Sequence, residues 1–458
     1  MLDQNSLEKL IEAVRKLDEG FRSLPSYEPA APGAERLSEV LNDVASRLQD
    51  NYPYFHPLYA GQMLKPPHPV ARLAYALAMY LNPNNHALDG GRASSAMEKE
   101  TVAEIAAMFG WREHLGHLCG GGTLANLEAL WVAGQLRPGK KILASDQAHY
   151  THSRISGILR LPFESVKSDS RGRMDIDALA KRAAQGDVGT VVATLGTTAA
   201  GSVDALPDVL ALHYKHGFRV HVDAAYGGYF TLINGLQPEA ANSFQQITRA
   251  DSIVIDPHKH GLQPYGCGCV LFRDPAVGNL YKHDSPYTYF SSAELHLGEI
   301  SLECSRPGAA AAALWATQKL LPLARGGEMA TALERSRRAA LELHARLLSD
   351  QKFMTAFPPE LDIVIFAPRA ASLSESSALA RRIFAEAARL DLHLAVAELP
   401  AVFWSKQNPD VRADRSTLTC LRSVLMKPEH LDWVDAIWQR LQEATGRALA
   451  GTRHSVTA

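Results

Sequence analysis

Apolar residues recur at helical spacing from the start of the chain. Leu7, Leu10, Ile11 and Val14 share one face of a helix that Ser6 is placed to cap and Gly20 to close. A proline-bearing linker from Pro25 to Pro32 follows, and a second helix puts Leu37, Val40, Leu41, Val44 and Leu48 on one stripe. Neither helix brings a sheet with it, so both stripes need cover from the main body of the chain or from a partner subunit. From about residue 97 the period changes. Short apolar, β-branched runs at Lys141–Ser145, Thr190–Leu195, Phe218–Val222, Ser252–Ile255 and Cys269–Phe272 alternate with helical patterns at Leu124–Leu136, Ile176–Ala184 and Leu206–His216. This alternation predicts a mostly parallel sheet with helices on both faces, whose ligands lie beyond the carboxyl ends of the strands. Past about residue 325 one strand-like piece, Asp362–Ala367, sits between helical patterns, and a long helix begins near Pro428. Gly451–Ala458 reads as a frayed tail. The expected division is an N-terminal helical segment at 1–60, a large α/β domain at 61–325 and a small α+β domain at 326–450.

Composition narrows the function classes. The 458 residues carry 47 basic and 49 acidic side chains, a net charge of −2, which offers no electrostatic footprint for nucleic acid or an anionic membrane. No run approaches the ~18 apolar residues of a membrane span, and the charged first residues lack the apolar core of a signal peptide. A cytoplasmic protein is expected. The five cysteines form no Cys-x-x-Cys pair, and Cys267-Gly268-Cys269 is too tight for zinc, so buried thiols on a strand and no metal site are expected.

The residues that follow the strand-like runs carry the chemistry. After Phe218–Val222 comes Asp223-Ala224-Ala225-Tyr226-Gly227-Gly228. A carboxylate at the end of a buried strand needs a cation, and the small alanines leave room for something flat; a helix-capping Asp is the plainer alternative. After Ser252–Ile255 comes Asp256-Pro257-His258-Lys259-His260, where a lysine between histidines is either a tuned nucleophile or a basic surface loop. Gly116-His117-Leu118-Cys119-Gly120-Gly121-Gly122-Thr123 reads as a glycine-rich turn running into a helix whose first amides and dipole favour an anion, although such a turn alone is weak evidence of phosphate binding. His149 and Thr198 also follow strands. A phosphate cradle, an amine, a buried carboxylate and a histidine for a flat ring together describe pyridoxal 5'-phosphate.

The segment His221-Val222-Asp223-Ala224-Ala225-Tyr226-Gly227-Gly228, followed by Asp256-Pro257-His258-Lys259, resembles the group II pyridoxal-phosphate amino-acid decarboxylases, which include the glutamate, aromatic-amino-acid, tyrosine and diaminobutyrate enzymes. Ser145–His149, Ala193–Thr198 and Ser305-Arg306-Pro307 extend the resemblance, which runs from about residue 50 to Arg422. It implies an aspartate-aminotransferase-like fold and a homodimer with shared active sites. It implies that Lys259 holds the cofactor as a Schiff base, that Asp223 pairs with the ring nitrogen, and that His149 and Ala225 flank the ring. Thr198 and His221 resemble the residues that surround the ring and position Asp223. Gly122, Thr123 and His258 resemble phosphate contacts, with Ser305 reaching over from the second subunit. Tyr287 resembles the loop tyrosine that completes the neighbouring site and returns a proton, with Tyr289 two residues on and His258 as alternatives. Arg422 resembles a grip for the substrate carboxylate.

The implied reaction is decarboxylation of an L-α-amino acid, aromatic or acidic, to its amine. Three departures stand out: the unusually glycine-rich phosphate loop, the second tyrosine, and Asn82–Leu88, which matches the substrate segments of neither the glutamate nor the aromatic branch. His56, Tyr59, Asn85, Phe403 and Trp404 are candidates for the pocket, with the core or a dimer contact as the equal alternative for each. A carbon–carbon lyase or an aminotransferase on the same fold, or a silent dimeric scaffold, are the competing readings.

Overall fold

The computed structural model describes residues 3–27, 33–86, 90–282 and 300–455. Its larger sheet has seven strands: β1 Leu115–Cys119, β2 Lys141–Ser145, β3 Phe163–Val166, β4 Val188–Thr194, β5 Arg219–Asp223, β6 Ser252–Ile255 and β7 Gly268–Phe272. They lie in the order β1-β7-β6-β5-β4-β2-β3. Strands β3, β2, β4, β5 and β6 pair in parallel, and β7 is antiparallel to both of its neighbours.

The period-2 alternation of a strand explains why both faces are covered. Ile142, Ala144 and Val192, with Val254 and Val270, meet the helices Gly122–Leu136 and Thr151–Ile158. Leu143, Val191, Ala193, Val222, Ile253 and Leu271 point the other way, into the cluster of Ile105, Leu179 and Leu210. The expected mostly parallel sheet is present.

Several local expectations are corrected. Gly116–Cys119, expected in the glycine-rich turn, belong instead to the strand Leu115–Cys119, paired along its length with β7. The β3 strand was not anticipated. Asp223 is the last residue of β5 rather than the first beyond it. Past residue 325 the chain forms four antiparallel strands instead of one: β8 Phe353–Thr355, β9 Ile363–Pro368, β10 Ala395–Pro400 and β11 Thr417–Val424, in the order β10-β11-β9-β8. The final helix, His430–Ser455, continues through most of the stretch read as a frayed tail. The first helix, Gln4–Glu19, is capped by Asp3, whose Oδ1 accepts from Ser6 N at 2.7 Å, and not by Ser6. Neither that helix nor Ala34–Leu48 buries a residue, and Leu7, Ile11, Leu37, Leu41 and Leu48 stay exposed on this chain. No described helix is long and apolar enough to cross a membrane.

The carboxyl end of β1 is held by a buried cluster. Glu98 accepts from Leu118 N at 2.9 Å and from the Arg306 guanidinium, which also donates to Leu118 O at 2.6 Å. Asn85 Nδ2 donates to the other Glu98 oxygen at 2.6 Å. Asn85, a candidate for the substrate pocket, is therefore part of this clamp. Glu98→Ala strands the Arg306 charge in the interior and is expected to cost about 3–5 kcal/mol. Urea unfolding reads this as a lowered midpoint; an unchanged midpoint contradicts the clamp.

Candidate active site

The carboxyl ends of β1, β2, β4, β5 and β6 converge on a cavity of about 530 Å³. Gly120–Leu124, His149, Thr198, Asp223, Ala225, His258 and Lys259 all line it.

Asp223 forms its floor. Its Oδ2 accepts from His152 Nε2 at 2.8 Å, and its Oδ1 accepts from Ala225 N at 3.1 Å. Asn126 Nδ2 points at Oδ2 from 3.5 Å. Burial pushes this carboxyl up, but the His152 bond and charge, the Ala225 amide and Lys259 outweigh it and hold Asp223 well below the usual range. Asp223 is thus an ionised carboxylate at 5% exposure. Behind it, His221 donates through Nε2 to Asn126 Oδ1 at 2.8 Å and meets Ser252 Oγ through Nδ1 at 2.8 Å. Burial draws His221 down to about 3, so it is neutral and orients Asn126. Of the two parts of the expectation for His221, it does not line the cavity, and it bears on the position of Asp223 through Asn126.

Lys259 sits on the turn after β6, with Nζ 2.9 Å from Asp256 Oδ2. On the same turn His258 donates through Nδ1 to Cys267 O at 2.8 Å, which leaves Nε2 as a lone pair. Burial lowers the pKa of His258, and does the same for His149. His149 Nδ1 lies 2.8 Å from Thr151 Oγ1 and also accepts from Thr151 N, which fixes the ring at the head of the helix Thr151–Ile158.

The opposite wall is the start of the helix Gly122–Leu136, whose first amides have no intrahelical acceptor. Gly121 has φ +135°, a region that side-chain-bearing residues avoid. A Cβ on Gly122 would lie 2.7 Å from Asp256 Oδ2. Only glycine leaves that wall open.

Several other sequence candidates lie elsewhere. Arg422 does not line the cavity: its guanidinium donates to Thr198 O, Ala199 O and Gly61 O at 2.6, 2.9 and 3.1 Å. The His56 ring packs 4.8 Å from Trp433. Phe403 and Trp404 are core residues of the C-terminal sheet. Ser305 is exposed, accepting from Asn84 Nδ2 at 3.1 Å. Tyr287 and Tyr289 lie outside the described residues. Reasoning from sequence missed His152, Asn126, Asp256 and Tyr265. The first two had a signal: His152 is the second and Asn126 the fifth residue of helices that start at the cavity, whose side chains reach back toward the strand ends.

The donor set fits pyridoxal 5'-phosphate. Lys259 supplies an amine, Asp223 an ionised acceptor for a protonated ring nitrogen, and Gly122 and Thr123 the amides and hydroxyl for a phosphate. His149 and Ala225 would take the two faces of a flat ring. The profile of the family described as "Pyridoxal-dependent decarboxylase conserved domain" matches residues 131–369, just over half of the chain. An L-tyrosine decarboxylase of Enterococcus faecium is 29% identical over 67% of this chain and 66% of its own length, so the chain spans just under two thirds of that relative. A probable L-tyrosine/L-aspartate decarboxylase of Methanothermobacter thermautotrophicus is 29% identical over 67% of this chain and 82% of its own length. An Oryza sativa TDC crystallised with PLP and tryptamine superposes with a TM-score of 0.78 at 18% identity, covering 97% of this chain and 99% of that one. This similarity shows the fold. With the family match lying across the strand that ends in Asp223 and the turn that carries Lys259, the chain belongs to the pyridoxal-dependent decarboxylases.

Proposed function

We propose that the protein decarboxylates an aromatic or acidic L-α-amino acid to its amine and carbon dioxide, as a cytoplasmic homodimer that shares its active sites. One observation carries the reading: the Lys259 amine and the ionised Asp223 face one cavity that a glycine-lined helix start leaves open for a phosphate. The substrate classes rest on relatives named for tyrosine and aspartate. The uncovered stripes on the two N-terminal helices, and Ser305 exposed outside this chain's own cavity, support a dimer.

Pyridoxal 5'-phosphate, when bound, supplies the electron sink for the pair left on the substrate α-carbon as carbon dioxide departs. The chain's residues arrange everything else. Asp223, kept ionised by His152, holds a proton at the ring nitrogen through a charge-assisted bond. Lys259 would carry the group, and Asp256 holds its Nζ at the cavity wall. His149 and Ala225 would flank a flat ring held there. Neutral His258 presents Nε2 3.6 Å from Asp256 Oδ2, the oxygen that holds Lys259 Nζ. Tyr287, which lies outside the described residues, would return the proton to the α-carbon, a step typically contributing ~10²–10⁴-fold.

Incubating the loaded protein with the full set of amino acids and detecting amines tests the reaction. Amine from an aromatic or acidic member is expected, and Tyr287→Phe should suppress it. No amine from any member contradicts decarboxylation, and unchanged output from Tyr287→Phe contradicts the proton donor.

His152→Phe removes the main donor to Asp223, a bond to a charged group worth ~1.5–3 kcal/mol, so kcat should fall about tenfold or more. The pH titration of the cofactor's absorbance should move in the same variant. An unmoved titration contradicts the role given to His152.

The pH dependence has a defined sign. Burial lowers the pKa values of His149 and His258 from 6.5, so both stay neutral as the pH falls through that value. The acid limb of kcat/KM should therefore lie below 6.5. A limb at or above it that vanishes in His258→Gln contradicts a buried neutral His258.

A further inference from the structure

A second cavity, of about 520 Å³, adjoins the active-site turn through His260, the residue after Lys259. Its wall is part apolar, from Leu262, Leu321, Met329 and Leu333, and part cationic, from Lys65, Arg72 and Lys427. Lys427 is 4% exposed and Lys65 is half-buried. Each has one backbone acceptor: Lys427 Nζ donates to Tyr59 O at 2.7 Å, and Lys65 Nζ to Met426 O at 3.1 Å. Among the described residues neither ammonium has an ion pair with a carboxylate. An ammonium carries three donors, so both have N–H groups left for another acceptor. His260, 1% exposed, makes no hydrogen bond through either ring nitrogen, and Arg72 Nε is buried without an acceptor.

Among the described residues, the acids nearby act on Lys65 and Lys427 through space without an ion pair to either. Asp362 accepts from Tyr226 Oη at 2.5 Å, and its other oxygen lies 3.3 Å from His260 Nε2 without hydrogen-bonding it. Glu328 and Glu429 line the cavity, and His68 and His430 flank it; His430 Nδ1 accepts from Lys427 N. Burial draws Lys65 down to about 8 against the pull of Asp362 and Glu429. Burial and then Lys65 draw Lys427 down to about 7 against Glu429. A buried and a half-buried amine, each with no ion pair to a carboxylate among the described residues and set beside an apolar wall, match the two ends of one kind of molecule.

We propose that this cavity binds a small organic carboxylate, its anion seated between Lys65 and Lys427 with His260 and Arg72 as further donors and its aliphatic body against Leu262, Leu321 and Leu333. The site is separate from the catalytic cavity and meets it at the Lys259–His260 peptide. Because an anion favours the charged form of both amines, binding takes up protons near pH 8.

Calorimetric titration with succinate and with butyrate tests this, on protein saturated with pyridoxal phosphate so that the catalytic cavity is filled. Two buffers of different ionisation enthalpy at pH 8 give the proton count. Binding of at least one acid with net proton uptake is expected. Lys427→Met and Lys65→Met should each weaken it by about tenfold or more, the worth of a lost hydrogen bond to a charged group, and reduce the uptake. Lys65→Met alters a half-buried residue, so it serves if Lys427→Met does not fold. No binding of either acid at millimolar concentration overturns the proposal, as does binding whose affinity and proton uptake are the same in the variants.

Discussion

A carboxylate buried at the end of a β-strand must be matched by hydrogen bonds and positive charge or it takes up a proton. At Asp223 the match is His152 at 2.8 Å, with the Ala225 amide on the other oxygen and Asn126 turned toward the pair by a neutral His221. The rest of the site depends on this arrangement, because a neutral Asp223 could not keep a ring nitrogen protonated. His221 and Ser252 sit opposite each other in adjacent strands β5 and β6, so the sheet's register fixes the last link of the relay.

The same sheet explains why the remaining groups meet there. Parallel strands end on one edge, and each hands its chain to a turn or helix at that edge. The edge delivers His149 after β2, Thr198 after β4, Asp223 at the end of β5 and Lys259 after β6. From β1 comes the glycine turn, held by Glu98 and Arg306 from outside the sheet. Buried ion pairs are weak evidence of stability but strong determinants of position. Here the clamp sets where the amides of Gly121 and Gly122 face.

Much of this was legible in the sequence. Five β-branched runs fell on five strands, and Lys259, Asp223, His149, Ala225, Thr198, Gly122, Thr123 and His258 line a single cavity. What escaped has physical reasons. Gly116 and Gly120 made β1 look like a loop, since glycine weakens a strand signal while leaving room for close packing. His152 and Asn126 reach the site from inside helices, and nothing in their spacing names Asp223 as their target. Arg422 has the chemistry of a carboxylate grip, yet three backbone carbonyls already take its guanidinium. Three of the four C-terminal strands went unrecognised for different reasons: Ala395–Pro400 is a half-polar edge run with little apolar pattern, Phe353–Thr355 has three residues, and Thr417–Val424 is buried but breaks its apolar run with Thr419, Arg422 and Ser423.

The central claim is that Lys259, opposite an ionised Asp223, is the residue that holds pyridoxal phosphate. Borohydride reduction of the cofactor-loaded protein, followed by digestion and mass spectrometry, tests it directly. The account predicts a phosphopyridoxyl group on the peptide containing Lys259 and on no other lysine. A label on a different lysine, or no covalent label on protein that retains the cofactor's colour, would contradict it.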